Sequence, residues 1–176
     1  MTRVQISAAE FEQLYRATAG EVHGYLRRRV GDDAADLLSE VYVVAWRRRG
    51  DLPGEDLRRA WLYGVARRLL LSHHRGVART AEAERSVAPP VDDDGERAEG
   101  RAAIVREALA ALSESDRELI QLTEWEGLSA SEAALTIGIK PGTARVRLHR
   151  ARGRLAADPR LRALVGAELT GRRPEA

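Results

Sequence analysis

The segment "GLSASEAALTIGIKPGTARVRLHRARGRL", residues 127–155, decides the fold. Ser129 precedes Glu132 by three residues, which is the spacing of a helix capping box. Gly138 favours the end of that short helix, and Pro141 suits the first turn of a second one. Two short helices joined by a glycine turn match the geometry of a helix–turn–helix, which is a DNA-binding motif.

The second helix has two chemically different sides when it is placed on a wheel of 3.6 residues per turn. One side carries Ala144, Leu148, Ala151 and Leu155, and we expect it to pack. A reading helix needs short or base-specific groups at its centre and cations at its edges. The other side meets that need, and its predicted DNA contacts are Lys140, Gly142, Thr143, Arg145, Val146, Arg147, His149, Arg150 and Arg154.

Basic charge alone does not establish this reading, because solvated basic amphipathic helices are also common. The capped helix and glycine turn that precede the basic helix favour DNA binding over that alternative. Within the helix, Arg150 has the donors for guanine O6 and N7, and Val146 can contact a thymine methyl group. Gly142 would let the backbone approach a phosphate.

Composition indicates an all-α protein. Hydrophobic residues make up 44% of the chain and aromatic residues 5%, so the core is built mainly from Ala, Leu and Val. The absence of cysteine excludes disulfides and thiolate zinc sites and suits a reducing cytoplasm. The first residues contain no long apolar run, so we expect neither a signal peptide nor insertion into a membrane.

Periodicity divides the chain into two small helical domains joined by a flexible linker. Residues 8–77 form the first domain, and Asp32 and Asp33 are expected to cap a helix after the break at Gly31. Residues 78–103 lose the helical pattern and include Pro89–Pro90 and an acidic run, which predicts an acidic flexible linker. Residues 104–158 form the helix–turn–helix domain, and 159–176 are expected to be a C-terminal tail.

A helix–turn–helix alone does not identify a family of DNA-binding proteins. The first domain carries a resemblance that does. The stretch "DDAADLLSEVYVVAW", residues 32–46, is similar to the region 2.2 helix of the sigma-70 family. "RRAWLYGVARRLLLSHHR", residues 58–75, is similar to regions 2.3 and 2.4, and the C-terminal stretch to the promoter-reading domain. The chain resembles the small extracytoplasmic-function (ECF) sigma factors of that family over residues 10–76 and 104–157.

This resemblance implies an alternative sigma factor that binds core RNA polymerase and directs promoter-specific initiation, with no cofactor and no catalysis of its own. The implied partners are the β′ clamp and β flap of polymerase, promoter DNA and an anti-sigma factor. The residues implied to dock on the β′ clamp are Asp36, Leu37, Ser39, Glu40 and Val43. Those implied to capture the melted −10 element are Arg49, Asp51, Leu52, Arg58, Arg59, Arg67, Arg68, His74 and Arg75.

The chain also departs from the family at several positions. Arg68 and Ser72 stand where the family typically has Asn and Asp, Val146 replaces a frequent Ser, and Ser39 replaces a common Gln. Trp46 and Trp61 could stack on bases, but each lies in an apolar stripe, which favours packing in the core.

The sequence is less consistent with two other classes of protein, a stand-alone DNA-binding regulator and an enzyme. A helix–turn–helix regulator that binds DNA alone would usually carry a receiver or ligand domain, and residues 8–76 show no alternating strand and helix pattern to build one. An enzyme or metal protein is disfavoured because the four histidines, His23, His73, His74 and His149, form no metal-binding spacing.

Overall fold

The computed structural model describes residues 6–83 and 96–171, with side chains at 6–77 and 100–165. This part of the chain contains eight α-helices and no strand, which confirms the all-α prediction. The helices are α1 (Ala8–Val30), α2 (Ala34–Arg47), α3 (Glu55–Ala83), α4 (Glu96–Ala110), α5 (Glu114–Glu124), α6 (Ala130–Ile137), α7 (Pro141–Ala157) and α8 (Pro159–Gly171).

Helices α1, α2 and α3 pack against one another to form the N-terminal unit. Ser7 begins α1 with a capping box, in which its backbone N–H donates to the Glu10 carboxylate at 2.7 Å. Each helix buries an apolar stripe, because residues three and four apart share one face of a helix. The fully buried side chains of this core include Val22, Leu26, Val41 and Leu62.

The connection between α1 and α2 is a single 3₁₀ turn, Gly31–Asp33. Gly31 has a φ of 58°, a left-handed conformation that glycine adopts without strain. The prediction that the acids here cap α2 is wrong, because the N-cap residue Asp33 is helical and its side chain makes no cap hydrogen bond. The Asp33 carboxylate instead lies 3.2 Å from Nε2 of His73 on α3, where it ties the turn to that helix.

The C-terminal unit contains the predicted helix–turn–helix. Ser129 and Glu132 form the predicted capping box at the start of α6, and Gly138 ends this helix with a φ of 80°. Pro141 occupies the first turn of α7, as the sequence predicts. At the start of α5, Ser113 is the N-cap, and its hydroxyl accepts from the Asp116 N–H at 3.2 Å.

Helices occupy parts of the segments predicted to be the linker and the tail. Helix α3 continues to Ala83 and α4 begins at Glu96, so helices occupy both ends of the 78–103 segment. Pro89–Pro90 and the acidic run at 92–94 lie outside the described residues, as do 172–176. Helix α7 ends before Pro159, as predicted, but the 159–176 tail begins with α8, whose first N–H groups are accepted by the Asp158 carboxylate.

The N-terminal and C-terminal units pack directly on each other through α3 and α6. Ala60 is completely buried, and its carbonyl accepts a hydrogen bond from the Thr136 hydroxyl at 3.1 Å. One turn further along α3, the backbone of Thr136 approaches Gly64 so closely that a Cβ at Gly64 would lie 3.5 Å from the Thr136 carbonyl oxygen. Small residues on α3 therefore let the two helices approach closely.

The buried side of α7 gives a test of the packing behind the helix–turn–helix. Leu148 is fully buried, so Leu148→Ala should lower the free energy of unfolding by about 2–5 kcal/mol through lost contacts and a residual cavity. Val146 on the same helix is 50% exposed, and Val146→Ala should change that free energy by less than about 0.5 kcal/mol. Urea denaturation followed by circular dichroism measures both, and equal losses would contradict this assignment of faces.

Candidate nucleic-acid interface

The exposed side of α7 presents the chemistry that the wheel predicts. Ala144, Leu148 and Ala151 are buried against α5 and α6, which fixes the rotation of the helix about its axis. Eight of the nine predicted contact residues lie on the exposed surface, and they are Lys140, Gly142, Thr143, Arg145, Val146, His149, Arg150 and Arg154. The exposed side of the helix thus has a central strip of short and chemically mixed side chains, with arginines along its edges.

Arg147, the ninth residue of the set, makes contacts within the protein. Its Nε donates to Oδ1 of Asp116 at 2.7 Å, and its other guanidinium nitrogen reaches the Ser113 hydroxyl at 3.5 Å. The Asp116 carboxylate is mostly buried, at 17% exposure. This pair joins α7 to the start of α5, so Arg147 orients the reading helix as well as adding charge to its edge.

The first turn of α7 is open to solvent. Lys140 is the N-cap residue, and its side chain makes no cap hydrogen bond to the helix. A Cβ added at Gly142 would have no neighbour within 4 Å, so packing does not require glycine there. Uncapped N–H groups at a helix start attract anions such as phosphate, which is consistent with the predicted phosphate contact at Gly142.

The predicted −10 residues do not share one surface. Arg68 and Arg75 of α3 are exposed. Arg67 and His74 line a cleft of about 230 Å³ between the two units, beside Gln121 of α5. Nε of Arg59 donates to the Glu21 carboxylate at 2.6 Å. Of these arginines, Arg68 and Arg75 are exposed to solvent, whereas Arg59 and Arg67 lie at contacts with other helices.

A second cleft, of about 420 Å³, lies between α1 and the start of α3. Arg58 and Arg59 line it together with Glu10, Gln13 and Thr18. Nε of Arg58 is buried and is the one such side-chain nitrogen or oxygen, within the described ranges, without a hydrogen-bond partner. Most of the residues lining this cleft come from α1, and the predicted −10 residues Arg49, Asp51 and Leu52 are not among them.

The loop before α3 holds the remaining predicted −10 residues, Arg49, Asp51 and Leu52. The guanidinium of Arg49 stacks over the Trp46 ring, 4.3 Å from its centroid. Trp46 is 39% exposed and meets Phe11 edge-on, with ring centroids 5.0 Å apart. The prediction that both tryptophans pack in the core holds for Trp61, which lies partly buried against it, and is wrong for Trp46.

The outer face of α2 presents four of the five residues that the resemblance assigns to polymerase docking. Asp36, Ser39, Glu40 and Val43 are exposed. Leu37 is buried in the core at 5% exposure, so its side chain is not part of that surface. The Ser39 hydroxyl donates to the Ala35 carbonyl of its own helix at 3.1 Å, which leaves the two carboxylates and Val43 as the surface that a partner would meet.

Glu126 belongs to this region, although the sequence analysis did not identify it. It precedes Gly127 in the turn between α5 and α6, and its carboxylate faces the N-terminal unit, where Arg28 donates to it at 2.6 Å. Tyr63 lies 3.5 Å from the same carboxylate, and burial together with the nearby Glu126 charge raises the pKa of Tyr63 to about 12. No local sequence signal marks Glu126, because its partners lie 63 to 98 residues away in the chain.

The described part of the chain shows neither a metal site nor a membrane-spanning helix. No group of three or more His, Cys, Asp or Glu residues there could hold a metal ion. His73 and His74 lie edge to face, 5.9 Å between ring centroids, and His73 is engaged with Asp33. None of the helices described is both long and apolar enough to cross a membrane.

Comparison with known families decides the identity of the fold. Residues 14–80 match sigma-70 region 2, and residues 102–155 match sigma-70 region 4. The chain belongs to the sigma-70 family. Within that family, this sigma factor is 31% identical over 151 residues to the ECF RNA polymerase sigma factor SigL of Mycobacterium tuberculosis, covering 81% of this chain and 84% of the relative.

Other relatives agree with the ECF assignment. The RNA polymerase sigma factor CarQ of Myxococcus xanthus is 34% identical over 147 residues, covering 80% of this sigma factor and 83% of CarQ. Among solved structures, the sigma factor RpoE of Bartonella quintana, in complex with the anti-sigma factor NepR, aligns with a TM-score of 0.62 at 23% identity. That alignment covers 85% of this chain and 98% of RpoE, and it supports the fold.

The Arg147–Asp116 pair gives a pH-dependent test of the reading unit. Burial alone would raise the pKa of Asp116, but hydrogen bonds from Ser113 and Arg147 outweigh it and lower the pKa. A carboxyl with a lowered folded-state pKa adds stability above its unfolded pKa of about 3.9, and this stability is lost as the pH falls through the folded value. Asp116→Asn should therefore cost about 1 kcal/mol of unfolding free energy at pH 7, and progressively less as the pH falls below the unfolded pKa of about 3.9.

Urea denaturation of the wild type and Asp116→Asn between pH 7 and pH 3 measures this difference. Glu114→Gln is the matched control, because Glu114 lies in the same first turn of α5, on the exposed surface. It should show a smaller loss at pH 7. An Asp116→Asn loss that stayed constant down to pH 3 would contradict the assigned ion pair.

Proposed function

We propose that this ECF-type sigma factor divides promoter recognition between its two helical units and takes its catalysis entirely from RNA polymerase. The observation that carries the proposal is that both DNA-facing and polymerase-facing regions of the family occur in one chain, in order, each on its own set of helices. The chain is then an alternative sigma factor that binds core polymerase and directs transcription from particular promoters.

In this proposal α7 reads the −35 element in the major groove. A groove about 12 Å wide admits one α-helix, and α7 displays exposed side chains suited to base edges along one side. Arg150 would recognise guanine through two hydrogen bonds, and Val146 would contact a thymine methyl group. Arg145, Arg154 and the open first turn of the helix would bind phosphates, which set orientation and do not discriminate sequence.

The N-terminal unit would hold polymerase and the melted −10 strand on different faces. Asp36, Glu40 and Val43 form a small acidic and apolar surface on α2 that suits a basic partner helix, here the β′ clamp. Arg68 and Arg75 on the exposed side of α3 would bind the phosphates of single-stranded DNA. The cleft beside Arg58 has room and an unsatisfied donor for an extruded base.

The remaining assignments follow from the same reading. We place the protein in the cytoplasm with polymerase, and we assign it no enzymatic activity. The solved sigma factors RpoE and CnrH were each captured with an anti-sigma partner, NepR and CnrY respectively, and we propose a partner of that kind for this chain. A regulator that binds DNA alone is the rival function, and no described surface specifically favours it.

The decisive experiment is transcription in vitro with core polymerase on a library of promoter fragments. The chain should produce promoter-specific transcripts with core polymerase and should footprint DNA weakly without it. A specific footprint by the chain alone, with no transcript when polymerase is added, would overturn the proposal in favour of the rival regulator.

The reading helix can be tested on the promoter that responds best in that experiment. Arg150→Ala should reduce promoter binding by the polymerase–sigma complex about 10–100-fold, because one bidentate base contact contributes about 1–3 kcal/mol. The loss should concentrate at one −35 base pair when each position is varied. Arg152→Ala is the control, since Arg152 lies outside the predicted set of base contacts, at the edge of the helix, and donates to Glu124 at 2.7 Å. Equal effects of the two variants would contradict the assignment.

A further inference from the structure

The edge of α7 that lies beside α5 carries two arginines with different surroundings. Arg147 and Arg154 are seven residues apart, which is about two turns, or about 10.5 Å along the helix axis. Arg147 is held, because its Nε donates to Oδ1 of Asp116 at 2.7 Å and its Nη2 lies 3.5 Å from the Ser113 hydroxyl. Arg154 is exposed, and no hydrogen bond or ion pair joins it to another described residue. The fold therefore orients one of these two cations and not the other.

Asp116 is a rigid support for the Arg147 guanidinium. Its backbone N–H donates to the Ser113 hydroxyl at 3.2 Å in the first turn of α5, where the helix dipole favours a negative charge. Its side chain is 17% exposed. Burial alone would raise the pKa of Asp116, but hydrogen bonds from Ser113 and Arg147 and the charges of Arg147 and Arg154 lower that pKa. The carboxylate is therefore ionised at neutral pH and fixed in position.

The contact with Asp116 and Ser113 occupies one edge of the guanidinium. An arginine side chain carries its N–H donors in a planar fork, and the edge formed by Nε and Nη2 is the one that faces α5. None of the described residues accepts a hydrogen bond from Nη1 of Arg147. Since Arg58 has the one buried and unpartnered side-chain nitrogen within the described ranges, this Nη1 reaches solvent. The end of the guanidinium, formed by Nη1 and Nη2, is thus open to an acceptor outside the protein.

A DNA phosphate is the acceptor whose chemistry and position fit this open end. When the strip of α7 that contains Val146 and Arg150 lies in the major groove, the edges of the helix lie beside the phosphates that line the groove. Arg147 lies at such an edge and is partly exposed. The end of a guanidinium presents two parallel N–H donors, which match two oxygens of one phosphate.

We infer that Asp116 is a positioning residue for promoter binding, which holds Arg147 so that the open end of its guanidinium binds a phosphate beside the −35 major groove. The inference rests on the proposed function, because it concerns α7 as the reader of that element. Asp116 does not touch the DNA and acts through Arg147. Arg154, which has no such support, binds its phosphate as an unoriented cation.

Asp116 has two opposing effects on phosphate binding, and they differ in size. Holding a long side chain in place before binding avoids an ordering cost that corresponds to about a 2–10-fold loss of affinity. The carboxylate also repels the phosphate, but salt screens charges over about 8 Å, and in water this repulsion corresponds to less than about twofold. The ordering effect is the larger one, so Asp116 should strengthen promoter binding.

A double-mutant cycle on promoter binding tests this role, with the full chain in complex with core polymerase at physiological salt. Arg147→Ala should weaken binding about tenfold when Asp116 is present, because a hydrogen bond between charged groups is lost. In the Asp116→Asn background the same change should weaken binding about threefold or less, since Arg147 is then no longer held. Asp116→Asn alone should weaken binding about threefold. A tenfold effect of Arg147→Ala in both backgrounds, or tighter binding by Asp116→Asn, would overturn the inference.

Two controls separate positioning from a simple change of charge. Arg154→Ala should have the same effect with Asp116 and with Asp116→Asn, because no hydrogen bond joins these two residues. Glu114→Gln removes an exposed negative charge from the same turn of α5 and should leave promoter binding within about twofold of wild type. Circular dichroism verifies that each variant is folded. Equal changes in the contributions of Arg147 and Arg154 would show a general charge effect and overturn the inference.

Salt dependence and a scan of the −35 base pairs identify what Arg147 contacts. Loss of one phosphate contact lowers the slope of log affinity against log salt by about 0.9, so Arg147→Ala should show this change. Asp116→Asn should weaken binding to every −35 variant alike and keep the preference at the base pair read by Arg150. If Asp116 only supported the fold, α7 would tilt and that preference would fall. Such a fall, or an unchanged salt slope in Arg147→Ala, would contradict the positioning role.

The wild-type complex separates failure of the inference from failure of the proposed function. If wild type directs promoter-specific transcription and the cycle shows no coupling between Asp116 and Arg147, the function stands and the positioning role fails. If wild type gives no transcript with core polymerase, the proposed function fails and the inference falls with it.

Discussion

Helix α3 packs against three other helices at once, α1, α2 and α6, and the rest of the structure depends on this packing. Leu62, Val65 and Ala66 face the core of the N-terminal unit, where α1 and α2 pack on them. Ala60 and Gly64 face α6, and their small size lets the two helices approach closely. The third side carries exposed arginines. A helix with so many partners has little freedom to rotate or shift.

The C-terminal unit packs a strongly basic helix, α7, on a small core. Helix α7 uses alanine and leucine on its buried side, so it packs closely against α5 and α6 with little aromatic surface. The Arg147–Asp116 pair then fixes its orientation with a charge that also belongs to the reading edge. The packing contacts and the proposed DNA contacts are thus combined in one helix of 17 residues.

Local features were predictable because they depend on neighbours in sequence. The capping box of Ser129 and Glu132, the left-handed Gly138 and the buried stripe of α7 all follow from spacing within a few residues. The errors arose where a distant partner decided the outcome. Asp33 does not cap α2 because its carboxylate lies beside His73 on α3. Trp46 is a different case, since it lies in the last turn of α2 and the nearby Arg49 stacks on its exposed ring.

The amino-acid sequence by itself determined the helices, the helix–turn–helix, the exposed strip of α7 and the family, since each depends on short-range pattern. Only the tertiary structure decided that α3 shows some arginines to solvent and others to α5 and α6. It also decided that Glu126 meets Arg28, Arg29 and Arg59. The Glu126 contacts join residues 67 to 98 positions apart, and helical periodicity carries no information about such pairs.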